Sequence, residues 1–320
     1  MKGQLLISEM LSVPWAIRRE VLQSHARVAA NWVKQGRSNH AEQNLGMVAW
    51  DKDDATDGER ISVFEARRRE ANAAISGNYV AIIPVFGTIV QRAGMMTEWC
   101  GGTSTQQISG ALNDAINDPN VSEVILDIDS PGGSVFGVQE LADEIYAARE
   151  QIKITAIANS LAASAAYWIG AQASEFYVTP GGEVGSIGVW MAHEDWSAAM
   201  AESGVVVTTI SAGQYKTEGN PYEPLPDDAK AFMQSRVDDY YRAFTGAVAQ
   251  GRGVSINKVT SGMGQGRVLG AEAAKAENMV DGIMTMSDLI RQRQVGSTSK
   301  PGTSRSRSRQ ASRELNLIAY

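Results

Sequence analysis

One cysteine, Cys100, stands among 320 residues. No intramolecular disulfide can form, and the composition fits a reducing compartment. The histidines number three, His25, His40 and His193. They are widely spaced and make no Cys/His ligand pattern, so neither a metal site nor a cofactor is expected. No apolar run approaches the ~20 residues that span a bilayer. The apolar stretch at 5–11 is interrupted by Glu9, so neither a membrane anchor nor a secretory leader is expected. Basic charge is in deficit, with 29 Lys and Arg against 36 Asp and Glu, a net charge of −7. From Arg291 onward seven Lys and Arg accompany one acid, Glu314, so this tail carries +6 and the rest −13. So acidic a body argues against a general nucleic-acid surface.

What the chain does have is a regular alternation of apolar runs and amphipathic stretches from residue 78 onward. Residues 1–45 read as helical, with Pro14 near a first turn and Trp15, Val21, Leu22 and Val28 giving a rough apolar face. Residues 51–72 are charged and read as a solvated linker or exposed helix. Residues 1–75 together form a helical extension with its linker. Buried strands are expected at 79–85, 121–128, 153–158 and 175–179, and another strand at 205–211. Helices are expected at 106–117, 135–149, 195–202, 227–250 and 271–279, with a short one opening around Ser164. The Gly-rich stretch 95–105 could form a flap over a cleft. This strand–helix order argues an α/β domain over 76–292 with a largely parallel sheet. The Ser/Arg-rich stretch 293–320 cannot build a core and is expected to be disordered.

Three stretches could carry chemistry. The first is Asn159-Ser160-Leu161-Ala162-Ala163-Ser164-Ala165-Ala166-Tyr167-Trp168. It sets one hydroxyl, Ser164, among small residues where a strand turns into a helix, and a helix N-terminus favours developing negative charge. A small-residue helix packed on a sheet accounts for it equally well when taken alone. The second is Ser130-Pro131-Gly132-Gly133, at the carboxyl end of an expected strand, where α/β sheets place ligands. Its glycines could aim N–H groups at an oxyanion, although Pro-Gly-Gly is also an ordinary turn. The third is Gln214-Tyr215-Lys216. A serine nucleophile needs a base, and Lys216 or His193 could supply one. A lysine does so only where burial lowers its pKa.

Asp127-Ile128-Asp129-Ser130-Pro131-Gly132-Gly133, Ala162-Ala163-Ser164-Ala165-Ala166-Tyr167, Val184-Gly185-Ser186-Ile187-Gly188-Val189 and Tyr215-Lys216 fall in the order and spacing of one known family. Over about residues 78–290 the chain resembles the signal peptide peptidase A family of serine peptidases. Met191-Ala192-His193, Gly219-Asn220-Pro221-Tyr222 and Leu225-Pro226-Asp227-Asp228 are similar to its phage branch, the capsid-assembly (prohead) proteases. The resemblance implies a ClpP/crotonase-like fold of repeated strand-strand-helix units. It implies a Ser/Lys dyad with Ser164 as nucleophile and Lys216 as general base. Ser186 would orient the lysine, and the N–H groups of Gly133 and Ala165 would form the oxyanion hole. Where the family usually has Gly-Gly after the serine, this chain has Ala165-Ala166. The implied partners are protein substrates, scaffold and portal or other head proteins, inside an immature capsid in the host cytoplasm. The family's peptidases usually form rings or domes, so a homo-oligomer is expected. Three other readings stand beside this one: a triad using His193, a crotonase-like acyl-CoA enzyme, and a non-catalytic assembly protein with a relic site.

Overall fold

The computed structural model describes residues 13–18, 21–22, 79–93 and 102–296. Residues 121–128 form the heart of the fold. Val124, Ile125, Leu126 and Ile128 are all fully buried, as a strand covered on both faces requires. They lie in β5 (Val121–Ser130), which pairs in parallel with β2 (Tyr79–Phe86) on one side and β7 (Lys153–Ala163) on the other. Pro84 sits within β2. The described sheet ends at β2, and an end strand can leave a residue without an N–H on its outer edge.

β7 is long enough to serve two further neighbours. Its first half pairs in parallel with β8 (Glu175–Val178), and its last three residues pair with β9 (Glu183–Gly185). β10 (Val268–Gly270) adds antiparallel to β9, and β11 (Gly282–Ile283) adds parallel to β8. A second, four-stranded sheet runs in the order β1 (Trp15–Ile17), β6 (Gly132–Ser134), β3 (Thr88–Val90), β4 (Gly102–Ser104). β6 follows β5 after Pro131 alone, so the two sheets meet at the Pro-Gly-Gly turn.

Helices cover the first sheet through spaced apolar positions. α1 (Thr105–Asn117) buries Ile108, Leu112 and Ala115, and a Ser104/Gln107 capping box starts it. α2 (Val138–Ala148) buries Val138, Leu141, Ala142 and Ile145. α3 (Ala165–Gly170) is buried at every residue. α4 (Ser197–Glu202) is short. α5 (Asp227–Arg252) buries Phe244, Thr245, Val248 and Ala249 in its second half, where Phe244 stacks on Trp168 at 4.7 Å. α6 (Ile256–Ser261), capped by the Ser255 hydroxyl, and α7 (Ala271–Ala276) close this unit. Residues 284–320 form a second unit, described as α8 (Met286–Gly296), in which Arg291 pairs with Asp288 at 3.0 Å. No described helix is long and apolar enough to cross a membrane.

The α/β architecture with parallel strands agrees with the sequence reading, and three local expectations fail. Residues 15–17 are a strand rather than part of a helix, because they find the open edge of β6. Residues 205–211 form no strand. Val206 is 87% exposed and Ile210 94%, so their β-branched side chains have no partner strand to pack on. α8 extends four residues into the stretch assigned to the tail. Of the helix expected over 1–45, residues 21–22 are helical; apart from 13–18 the rest of that stretch, the linker at 51–72, most of the flap and the rest of the tail lie outside the described residues.

One polar latch ties the end of the unit to its sheet. Asp281 accepts from the Phe176 N–H at 2.7 Å and from both terminal nitrogens of Arg252, at 2.7 and 3.0 Å. Burial pushes the Asp281 carboxyl up, but these donors and the guanidinium charge outweigh it and hold it below the usual carboxylate range. A depressed carboxylate stabilises the fold above its unfolded-state pKa and loses that contribution as pH falls through its native value. Asp281→Asn should therefore cost about 1–3 kcal/mol at neutral pH, since it leaves the buried Arg252 poorly paired. In urea titrations, the gap from wild type should close as pH drops below about 4.

Candidate active site

Ser164 sits where β7 stops and α3 begins. It has φ 58° and ψ −119°, a left-handed backbone that a residue with a Cβ rarely adopts. Two hydrogen bonds hold it there: its N–H donates to the Gly185 carbonyl at 2.7 Å, and its carbonyl accepts from the Trp168 N–H at 2.9 Å. The turn is further fixed because α3 is anchored in the core by Tyr167 and Trp168, both fully buried. The Tyr167 hydroxyl donates to the Met279 carbonyl at 3.0 Å, and burial raises its pKa. Among the described residues Ser164 Oγ reaches only the Gly188 carbonyl, at 3.5 Å. The N–H of Ala165 stands at the first position of α3, where no helical carbonyl can meet it.

The glycine turn packs directly on this serine. Gly132 has φ +98°, and a Cβ built there would meet Ser164 Cβ at 2.9 Å and the Ala16 carbonyl oxygen at 2.2 Å. A Cβ on Gly133 would meet the Ile89 carbonyl oxygen at 1.8 Å. Both positions require glycine because backbone from other strands passes where a side chain would be. The Ser130 hydroxyl fastens the turn, donating to the Gly87 carbonyl at 2.6 Å and accepting from the Gly132 N–H at 3.2 Å. Within the second sheet Gly133 is the register partner of Ile89 on one side and Ala16 on the other.

Ser186 flanks the same place. It also has a positive φ, 53°, and its N–H donates to the Arg267 carbonyl at 2.8 Å. Through Gly185, which accepts from Ser164, the Gly-Ser-Ile-Gly turn lies against Ser164. Behind that turn a cavity of about 550 Å³ is lined by Met263, Arg267, Leu269, Ala273, Ala276 and Glu277. None of the sequence-derived site residues lines it. Beside it Glu277 pairs with Lys258.

Ser164, Gly133, Ala165 and Ser186 are thus gathered at one junction, and Lys216 is not. Lys216 lies on an exposed turn, its N–H bonded to the Gly213 carbonyl at 3.1 Å. Among the described residues its side chain makes no hydrogen bond or ion pair. His193 is also elsewhere, with Nε2 2.9 Å from the Asn220 carbonyl oxygen. Sequence reasoning missed two participants, β1 and Trp190. Trp15 and Trp190 exchange N–H···O=C bonds of 2.9 and 3.1 Å. The run Trp15-Ala16-Ile17 is aromatic and β-branched, which was the signal for a strand. Among the described residues no group of three or more His, Cys, Asp or Glu could hold a metal.

The contrast between two glycines tests this packing. Gly133→Ala should lower stability by at least ~3 kcal/mol, because backbone must move to admit the methyl. Gly110, on α1, has nothing within 4 Å of a built Cβ. Gly110→Ala should raise stability by ~0.5–1 kcal/mol. Chemical denaturation of the two variants reads both.

Comparison with known proteins places this geometry. Residues 146–298 match the model of peptidase family S49. The head-tail preconnector protein GP5 of Enterobacteria phage P21 is 37% identical over 213 residues, covering 67% of this chain and 42% of that protein. Capsid assembly protease C of Escherichia phage lambda is 35% identical over 260 residues, 80% of this chain and 57% of that one. A putative protease, MJ0651 of Methanocaldococcus jannaschii, is 32% identical over 191 residues, 59% and 61% of the two chains. The chain therefore spans about half the length of the two phage relatives. A strained serine at a strand–helix junction, a glycine turn packed on it and these matches agree: the chain carries a peptidase family S49 domain.

Proposed function

We propose that the chain is a serine endopeptidase that uses Ser164 as nucleophile and Lys216 as base, and that it cleaves proteins of an assembling phage head. The observation that carries the reading is the positive-φ backbone of Ser164, held against Gly132 at the mouth of α3. Strain of this kind costs about 1–3 kcal/mol and persists where function needs the geometry. In the proposed reaction Ser164 Oγ attacks the peptide carbonyl and its proton passes to Lys216 Nζ. The N–H groups of Gly133 and Ala165 stabilise the oxyanion. Lys216 then protonates the leaving amine, and water, deprotonated in turn, releases the acyl group from Ser164. Ser186 orients the lysine. The names of the two phage relatives, a capsid assembly protease and a head-tail preconnector, support scaffold, portal or other head proteins as substrates and the interior of the immature capsid as the place of action.

Lys216 cannot serve as base from an exposed turn. It shares its stretch with Val205, Val206, Val207, Ile210 and Tyr215, which are 40–94% exposed. Contact between copies of the chain would cover these side chains and take Lys216 out of water together. The dyad is therefore completed in a homo-oligomer. His193 fits the base role less well, because its Nε2 is engaged by a backbone carbonyl. The separation of Lys216 from Ser164 in one chain is what favours the second reading, an assembly protein with a relic site.

Fluorophosphonate labelling and cleavage of capsid proteins decide between them. Wild type should react, and Ser164→Ala and Lys216→Ala should each lose at least ~100-fold in rate while staying folded. The rate should rise with pH, since an ammonium must give up its proton to act as base. Mixing the two inactive variants should restore part of the activity. A Lys216→Ala variant as fast as wild type rejects the dyad, and no reaction in any form, with capsid proteins present, favours the relic.

A further inference from the structure

We propose that residues 13–18 act as an intramolecular stopper, a strand lying in the slot beside Ser164 where an extended peptide substrate must bind, so that a peptide enters only by displacing it. The word substrate here rests on the peptidase reading above; the occupied slot does not.

The slot has two edges, and β1 fills the gap between them. On one side β1 pairs antiparallel with β6, in the register Trp15↔Ser134, Ala16↔Gly133 and Ile17↔Gly132. On the other side it bridges to Trp190, just beyond the Gly-Ser-Ile-Gly turn, through the reciprocal bonds of Trp15. The Trp190 indole N–H also donates to the Ile17 carbonyl at 3.0 Å, and the Arg18 N–H to the Pro131 carbonyl at 3.1 Å. Proteins commonly recognise extended peptides by adding them to an exposed strand edge, with backbone bonds supplying affinity. Here the edge nearest Ser164 is already taken.

The contact reaches the reacting group. The Ala16 carbonyl oxygen and Ser164 Cβ lie 2.2 and 2.9 Å from the same point, the Cβ position of Gly132. Gly133, the proposed oxyanion donor, is the ladder partner of Ala16. A peptide presenting its carbonyl to Ser164 would have to take the place of Ala16.

The side chains show how the strand can leave without unfolding the domain. Trp15, Ile17 and Leu22 form their own buried cluster, joined by Val13, Val21, Trp190 and Ala192, separate from the main core. Of the strand only the small Ala16 joins the main core. A three-residue strand held by a satellite cluster is the kind of element that opens locally, at a free energy below that of global unfolding.

The test is peptide binding by the full chain, kept inert by Ser164→Ala. The probe is a fluorescent peptide of residues 10–22. Adding Ile17→Asp loosens the chain's own strand and should tighten binding of the peptide at least tenfold. Leu22→Asp, which weakens the same cluster outside the slot, should act in the same direction. Circular dichroism checks that both stay folded. Unchanged or weaker binding in folded variants overturns the proposal. Labelling of the corresponding Ser164 chains separates the two ideas. Tight binding with a serine that never reacts sinks the peptidase reading alone, and a reactive serine with unmoved affinity sinks the stopper alone.

Discussion

The backbone of Ser164 is the constraint on which the site depends. Its φ of 58° is held by one hydrogen bond to Gly185 and one from Trp168. Strain of about 1–3 kcal/mol there is small beside the burial of the residues that follow. Tyr167 and Trp168 are fully buried, and each aromatic covers roughly 150–250 Å², or about 4–6 kcal/mol of transfer free energy. The helix that follows the serine thus outweighs the distortion needed to present it. The same bond to Gly185 brings the Gly-Ser-Ile-Gly turn alongside, and the same strand end meets the glycines of β6. The proposed nucleophile, oxyanion donors and supporting hydroxyl all follow from one turn.

Around this rigid junction the chain keeps two less committed parts. β1 rests on its own apolar cluster and is joined to the site by backbone bonds on both edges. Residues 204–216 run over the surface with valines and an isoleucine exposed. The first covers what a substrate would touch, and the second carries the proposed base away from the serine. Both push the working state toward one in which the chain has met other molecules, a substrate strand in one place and further copies of itself in the other. That suits a peptidase whose proposed work is confined to an assembling shell.

Much of this was legible in the sequence, and the misses share a physical origin. β5 and the first half of β7 were legible because Val124 to Ile128 and Ile154 to Ala158 are continuous apolar runs, the signature of buried parallel strands. β7's continuation through Asn159 and Ser160 was hidden by their polarity; they are exposed, yet the ladder to β9 resumes at Leu161. Ser164, Gly133, Ala165 and Ser186 were legible through their motifs. Residues 15–17 were not, because Pro14 and the spacing of Trp15, Val21 and Leu22 mimic a helix start, while the strand exists only by pairing with β6, far along the chain. Residues 205–211 failed in the opposite sense. Three valines and an isoleucine give strand propensity, but propensity measures fit to a neighbouring surface, and the single chain offers none.

The most direct test of the central claim is the location of the covalent adduct. Full-length wild-type protein, treated with a fluorophosphonate and digested, would be mapped by tandem mass spectrometry. The account predicts one phosphonylated residue, Ser164, with nearby Ser160 and Ser186 unmodified. An adduct on either of those serines, with Ser164 untouched, would contradict it.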